Sequence, residues 1–163
     1  MTAVATVAGA LLVVVALRDV FDTLFHPHGR GVVGQAVVRR IWQGARMLVR
    51  QNHAALSLAG PIAFISVIVV WGALVVVGFA LMLWPHFPEG FASANGEAIR
   101  SGHFWDALYL SMVNLASLGY GDIVPVTEAV RGLAVVEAMS GQLYLAVMIA
   151  RLVSLYGRGG TQR

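Results

Sequence analysis

The chain has 163 residues, 58% of them hydrophobic and 12% charged, with a mean hydropathy of +0.77. A soluble domain is about one-quarter charged, so there is too little polar surface here to coat a water-soluble core, and the composition defines an integral membrane protein. All eleven basic residues are Arg and cysteine is absent, which excludes disulfide staples and thiolate metal sites.

The pI near 10 comes from Arg placed mostly between and after apolar runs. Anionic lipid headgroups, not nucleic acid, are therefore the expected partner. The first candidate span runs from about Ala3 to Phe25, within an N-terminal segment 1–25. A bilayer core needs about 20 apolar residues. The apolar part ends at Leu17, so Arg18 must snorkel while Asp19 and Asp22 sit at the interface. No Lys or Arg precedes the run and no small-x-small site follows it, so it does not read as a signal peptide. Asp19, Asp22, His26 and His28 cluster at its end. Such a set could bind a divalent ion or sense pH, but the more ordinary use is an interfacial cap with Arg18 and Asp22 paired one turn apart. A metal site is not expected.

Residues 26–55 carry Arg30, Arg39, Arg40, Arg46 and Arg50 and no acid up to His53. Val33, Val37, Ile41 and Leu48 recur at helical spacing, with Arg39, Gln43, Arg46 and Arg50 on another face. This pattern predicts an amphipathic helix on the membrane surface, and its charge places it in the cytoplasm. Gly29, Gly31 and Gly34 fit G-x-G-x-x-G, but no strand precedes them, so dinucleotide binding is not expected.

A second span, about 61–84, has no charge and a Pro near its start, with Trp84 and Pro85 at its exit. The loop from Pro85 to Trp105 carries Glu89, Glu97 and one Arg, as an external loop should. Phe104 to Ala116 is apolar but too short to cross a bilayer. Ser117, Leu118, Gly119, Tyr120, Gly121 and Asp122 follow at once, then Pro125. A short helix, a Gly-containing irregular segment and a return to the same face describe a re-entrant loop, which lipid tolerates only where protein buries it or water lines it. A third span covers about 130–156, with Glu137 inside it, and a short tail 157–163 carries Arg158 and Arg163. The layout puts the N-terminus outside and the C-terminus in the cytoplasm of a multi-pass cell-membrane protein.

From about Pro61 to Tyr156 the chain resembles the pore module of the potassium-channel family, most closely over FWDALYLSMVNLASLGYGDIVPVT, Phe104 to Thr127. The resemblance implies an all-α pore domain over 56–156: outer helix 61–84, pore helix 104–116, filter 117–122 and inner helix 130–156. It also implies four copies of the chain around one pore. K+ would be held by the backbone carbonyls of Ser117, Leu118, Gly119 and Tyr120, with the Ser117 hydroxyl at the inner end. Gly119 and Gly121 would allow the backbone angles that aim those carbonyls inward. Asp122, Tyr109 and Val113 would support the filter. Gly141 matches the inner-helix hinge, and Gln142, Leu145 and Ile149 fall near the cavity below the filter. Gly141 could equally serve close helix packing.

Ser117 stands where the family usually has Thr, and keeps the hydroxyl. Leu118 replaces the commoner Val or Ile, which bears on the degree of selectivity. Val113 occupies a place where some relatives carry a Glu paired with the filter aspartate, so gating through that pair is not expected. Glu137 lies one turn above Gly141 and faces the back of the pore helix. An intramembrane acid is a functional candidate by default. It would either clip the inner helix to Ser111 or Asn114, or act as a proton-sensitive gate.

The arginines do not repeat every third residue inside an apolar helix, so no voltage sensor is predicted, and no catalytic motif appears. Few residues follow the third span, so gating is expected in the filter, the helices, the surface helix or a separate regulatory subunit. No cofactor is implied beyond K+ as the permeant ion. Two alternatives remain open: a poorly selective cation channel of the same fold, and a non-conducting accessory membrane subunit. A transporter with four such loops per chain is disfavoured.

Overall fold

The computed structural model describes residues 2–25, 31–48, 53–94, 99 and 102–159. The chain order is α1 (Thr2–Phe25), α2 (Val32–Leu48), α3 (His53–Leu83), a short 3-10 turn (Trp84–His86), β1 (Phe91–Ser93), α4 (Phe104–Leu115), β2 (Ile123–Pro125) and α5 (Glu128–Gly159). Among the described residues, three stretches are long and apolar enough to cross a membrane: Thr2–Thr23, Gly60–His86 and Glu128–Ala150.

Several boundaries differ from expectation: α2 covers Val32–Leu48 within the expected 26–55, and α5 runs Glu128–Gly159 against an expected 130–156. The outer helix begins at His53, not near Pro61, so Pro61 lies in the helix interior. The sequence predicts Pro61 in the first turn, where its missing N–H costs nothing; in the interior it removes one backbone hydrogen bond, and the helix nevertheless starts about two turns earlier. The short helix ends at Leu115 with Ala116 as its cap residue.

Leu11 to Val75 form one compact unit. Here the carboxylate of Asp19, only 6% exposed, accepts hydrogen bonds from the backbone N–H groups of Val33 and Gly34, each at 3.0 Å. It also accepts one from the Trp71 indole at 2.8 Å. Gly31 donates its N–H to Thr23 Oγ1 at 3.0 Å. The first turn of a helix has unsatisfied N–H groups and a partial positive charge, so Asp19 is an N-cap for α2 supplied from another helix. The helix start formed by Gly31 and Gly34 does meet an anion, and that anion is the chain's own carboxylate. Arg18 pairs with Asp22 at 3.6 Å. His26 and His28 lie outside the described residues. On α2, Val33, Val37 and Ile41 are half-buried, while Arg39, Arg40 and Gln43 are exposed.

The second unit comprises residues 1–10 and 76–163. Its core gathers Ala80, Leu83, Phe91, Ala107, Leu110 and Val130. Phe87 stacks on Phe91 with centroids 4.0 Å apart, and Trp84 meets Phe104 edge-on at 5.7 Å. The β1–β2 ribbon is antiparallel, with Ala92 opposite Val124, and was not foreseen. Three-residue strands give almost no alternation to read. The ribbon fastens the return of the chain after Asp122 to the loop after α3, and α4 packs against α5 beside it.

Candidate functional site

The site is built on the end of α4. Its 12 residues give a rod of about 18 Å, shorter than a bilayer core of about 30 Å. It starts cleanly: the His103 N–H donates to Asp106 Oδ2 at 3.3 Å, setting an acid in the first turn, where the helix dipole favours it. It ends in a Schellman closure. The Ser117 N–H donates to the Asn114 carbonyl at 2.9 Å and the Leu118 N–H to the Val113 carbonyl at 3.0 Å, the paired bonds that define this helix stop. The position that glycine usually fills in it is held by Ser117, at φ +56°. An L-residue in the left-handed region costs about 1–2 kcal/mol, so the closure holds Ser117 in a strained conformation.

Positive φ recurs at Gly119 (+56°) and Gly121 (+75°), and at no other described residue. In an ordinary strand successive peptide groups point alternately to opposite sides. A positive φ at every second residue from 117 to 121 departs from that pattern. Glycine takes that conformation without steric cost. No atom of the same chain lies within 4 Å of where a Cβ would sit at 119 or 121, so within one chain it is conformation that calls for these glycines.

Residues 116–122 are all exposed on the single chain, Leu118 at 57% and Tyr120 at 66%. Behind the loop, the Tyr109 hydroxyl donates to Asp122 Oδ2 at 2.7 Å, and Asp122 Oδ1 accepts from the Ile123 N–H at 3.0 Å. The Tyr109 hydrogen bond holds the Asp122 carboxyl below its ordinary pKa. Val113, one turn along from Tyr109, is buried and takes part through its backbone carbonyl.

α5 touches the back of this assembly at three successive points. Glu137, fully buried, accepts hydrogen bonds from Ser111 Oγ and, at 3.1 Å, from Asn114 Nδ2. Ser111 Oγ also reaches the Val76 carbonyl at 2.9 Å. Gly141 is pressed against the Leu115 carbonyl, where any Cβ would collide. Gln142 Nε2 donates to Ser117 Oγ at 2.8 Å, a contact that sequence reading missed because nothing in residue spacing links an inner-helix amide to a loop hydroxyl. Leu145 and Ile149, further down α5, are exposed.

Residues 63–158 match the family described as "Ion channel". The chain therefore belongs to this ion channel family, whose two-helix pore module it carries, and it is a channel-type membrane protein, not an enzyme. It is similar to an uncharacterized membrane protein of Bacillus subtilis, YdjJ, with 25% identity covering 91% of this chain and 43% of that protein. It is 32% identical to two-pore potassium channel 4 of Arabidopsis thaliana, over 50% of this chain and 27% of the channel. It is 30% identical to the inward rectifier potassium channel Kirbac3.1 of Paramagnetospirillum magnetotacticum, over 65% of this chain and 34% of the channel. The chain spans less than half the length of each of these three relatives. No solved structure gives a significant match.

Proposed function

We propose that the chain is one subunit of a homotetrameric channel that passes K+ down its gradient through the loop from Ser117 to Gly121. The observation that carries this is the alternating backbone at residues 117, 119 and 121, set at the end of a helix too short to span. Backbone carbonyls of such a loop can replace the water around a dehydrating cation only if several loops face one another. One chain supplies one loop, and it leaves that loop exposed. Irregular backbone at membrane depth needs a protein or water lining, which copies of the same chain would provide. Exposed apolar residues on α5, among them Val135, Met139 and Leu143, fit burial against lipid or those copies.

The pore helix contributes charge as well as position. Its C-terminal end carries a partial negative charge, which favours a cation just inside the loop. Gly141 would serve as hinge or packing site, with Gln142, Leu145 and Ile149 toward the inner cavity. The arginine distribution favours an external N-terminus and a cytoplasmic C-terminus. Exposed Arg39 and Arg40 of α2 suit anionic lipid headgroups. A separate regulatory subunit would be one source of gating.

The test is reversal potential in liposomes holding the purified protein under opposed K+ and Na+ gradients. A value near the K+ equilibrium potential supports the proposal. A value near zero favours the poorly selective channel, the outcome that Leu118 makes worth checking. Absence of current favours an accessory subunit. Gly119→Ala should abolish selective current, since alanine at φ +56° is strained.

A further inference from the structure

Of the three left-handed residues in the loop, Ser117 alone carries a side chain. Serine has a single heavy substituent on Cβ, so χ1 is not fixed by branching as it is in threonine. The two Schellman hydrogen bonds fix its peptide groups but leave the hydroxyl free to choose among staggered rotamers. Gln142 Nε2 donates to that hydroxyl oxygen at 2.8 Å.

We infer that Gln142 is a positioning residue for the Ser117 hydroxyl: it locks the loop's innermost side-chain oxygen and so sets how strongly that end of the pore prefers K+ over Na+. The inference rests on the channel function proposed above. A hydroxyl has one proton and two lone pairs. The Gln142 bond occupies one lone pair, which leaves the other lone pair and the O–H in fixed directions. Without it the oxygen swings away from the ion for part of the time, and a smaller or more hydrated ion is rejected less well. Gln142 can reach Ser117 because its neighbour Gly141 has no Cβ to hold α5 off the end of α4. The selectivity-setting contact and the closest helix approach therefore sit on consecutive residues. Any rotation of α5 about Gly141 would release the hydroxyl.

The test is a double-mutant cycle of wild type, Gln142→Leu, Ser117→Ala and the double variant, read by the K+/Na+ permeability ratio in liposomes. A second arm measures the χ1-dependent couplings of Ser117 by NMR in nanodiscs. Gln142→Leu should lower the ratio roughly 3- to 10-fold, the effect of one ordinary hydrogen bond, and average the Ser117 couplings. Gln142→Asn, one methylene shorter, should behave the same way. In the Ser117→Ala background Gln142→Leu should change nothing further. An equal effect with and without the hydroxyl, or one fixed Ser117 rotamer in Gln142→Leu, overturns the inference. A wild type without K+ current overturns the channel function instead, and the NMR arm then still decides whether Gln142 holds Ser117.

Discussion

The Trp71 indole and the Asp19 carboxylate, 52 residues apart in sequence, meet at 2.8 Å around the first turn of α2. One side chain of α1 thereby fixes both a residue of α3 and the start of the basic helix. Asp19→Ala would strip two α2 N–H groups and a buried indole of their acceptor. An N-cap alone is worth about 0.5–2 kcal/mol, and each stranded buried donor about 1–3 kcal/mol. The expected result is a loss of about 2–4 kcal/mol. It would be read as a lower unfolding midpoint and faster amide exchange at Val33 and Gly34. Asp19→Asn should retain part of the protection.

The Tyr109–Asp122 bond gives a pH dependence with a definite sign. Asp122 is held below its ordinary pKa in the folded chain by the Tyr109 hydroxyl. A depressed carboxyl contributes stability that is present above its unfolded value and lost as pH falls through the folded value. The outer end of the loop should therefore stay intact through neutral and mildly acid pH and loosen only to the acid side of an ordinary aspartate. Tyr109→Phe should move that loosening toward the ordinary aspartate range. Amide exchange at Ile123, followed against pH, would register the move.

Glu137 stands between two readings, a clip and a proton-sensitive gate. Ser111 has one proton, yet both the Val76 carbonyl and a Glu137 oxygen lie within its reach. A glutamine at 137 can donate to Ser111 and accept from Asn114, so Glu137→Gln should keep the fold. Glu137→Ala would leave Ser111 and Asn114 short of a partner in a buried site, at about 1–3 kcal/mol. Comparing unfolding midpoints of the two variants tests the clip. The gate requires in addition that Glu137→Gln flatten the pH dependence of current, and an unchanged curve rules it out.

Gly141→Ala tests the close approach of α5 to α4. A Cβ there would run into the Leu115 carbonyl, and backbone yields less readily than a flexible side chain. Overpacking of this sort costs about 1–3 kcal/mol. The substitution should also break the Gln142–Ser117 bond by pushing α5 outward. A variant that retains wild-type stability and current would show that α5 can shift without consequence.

The spans, the short α4 and the loop were legible because apolar run length and glycine spacing are local signals. The partners of Glu137 could be named in advance because helical register puts 137 one turn above 141. The Asp19 cap was not legible: it joins three segments through a residue that reads as an interfacial charge. Nor was the left-handed Ser117, since a Schellman stop announces itself in sequence only when glycine fills it. The extension of α3 ahead of Pro61 was hidden because a proline near the start of an apolar run reads as a first-turn residue.

The exposure of residues 116–122 on the single chain also bears on biogenesis. On the channel function proposed above, a subunit newly released into the membrane would hold a strained, unsheltered loop, and shaping that loop and joining subunits would be one event. Any cation that binds only the joined form would pull the process forward by mass action, so the ion that later passes through would first serve as the template on which the passage is built.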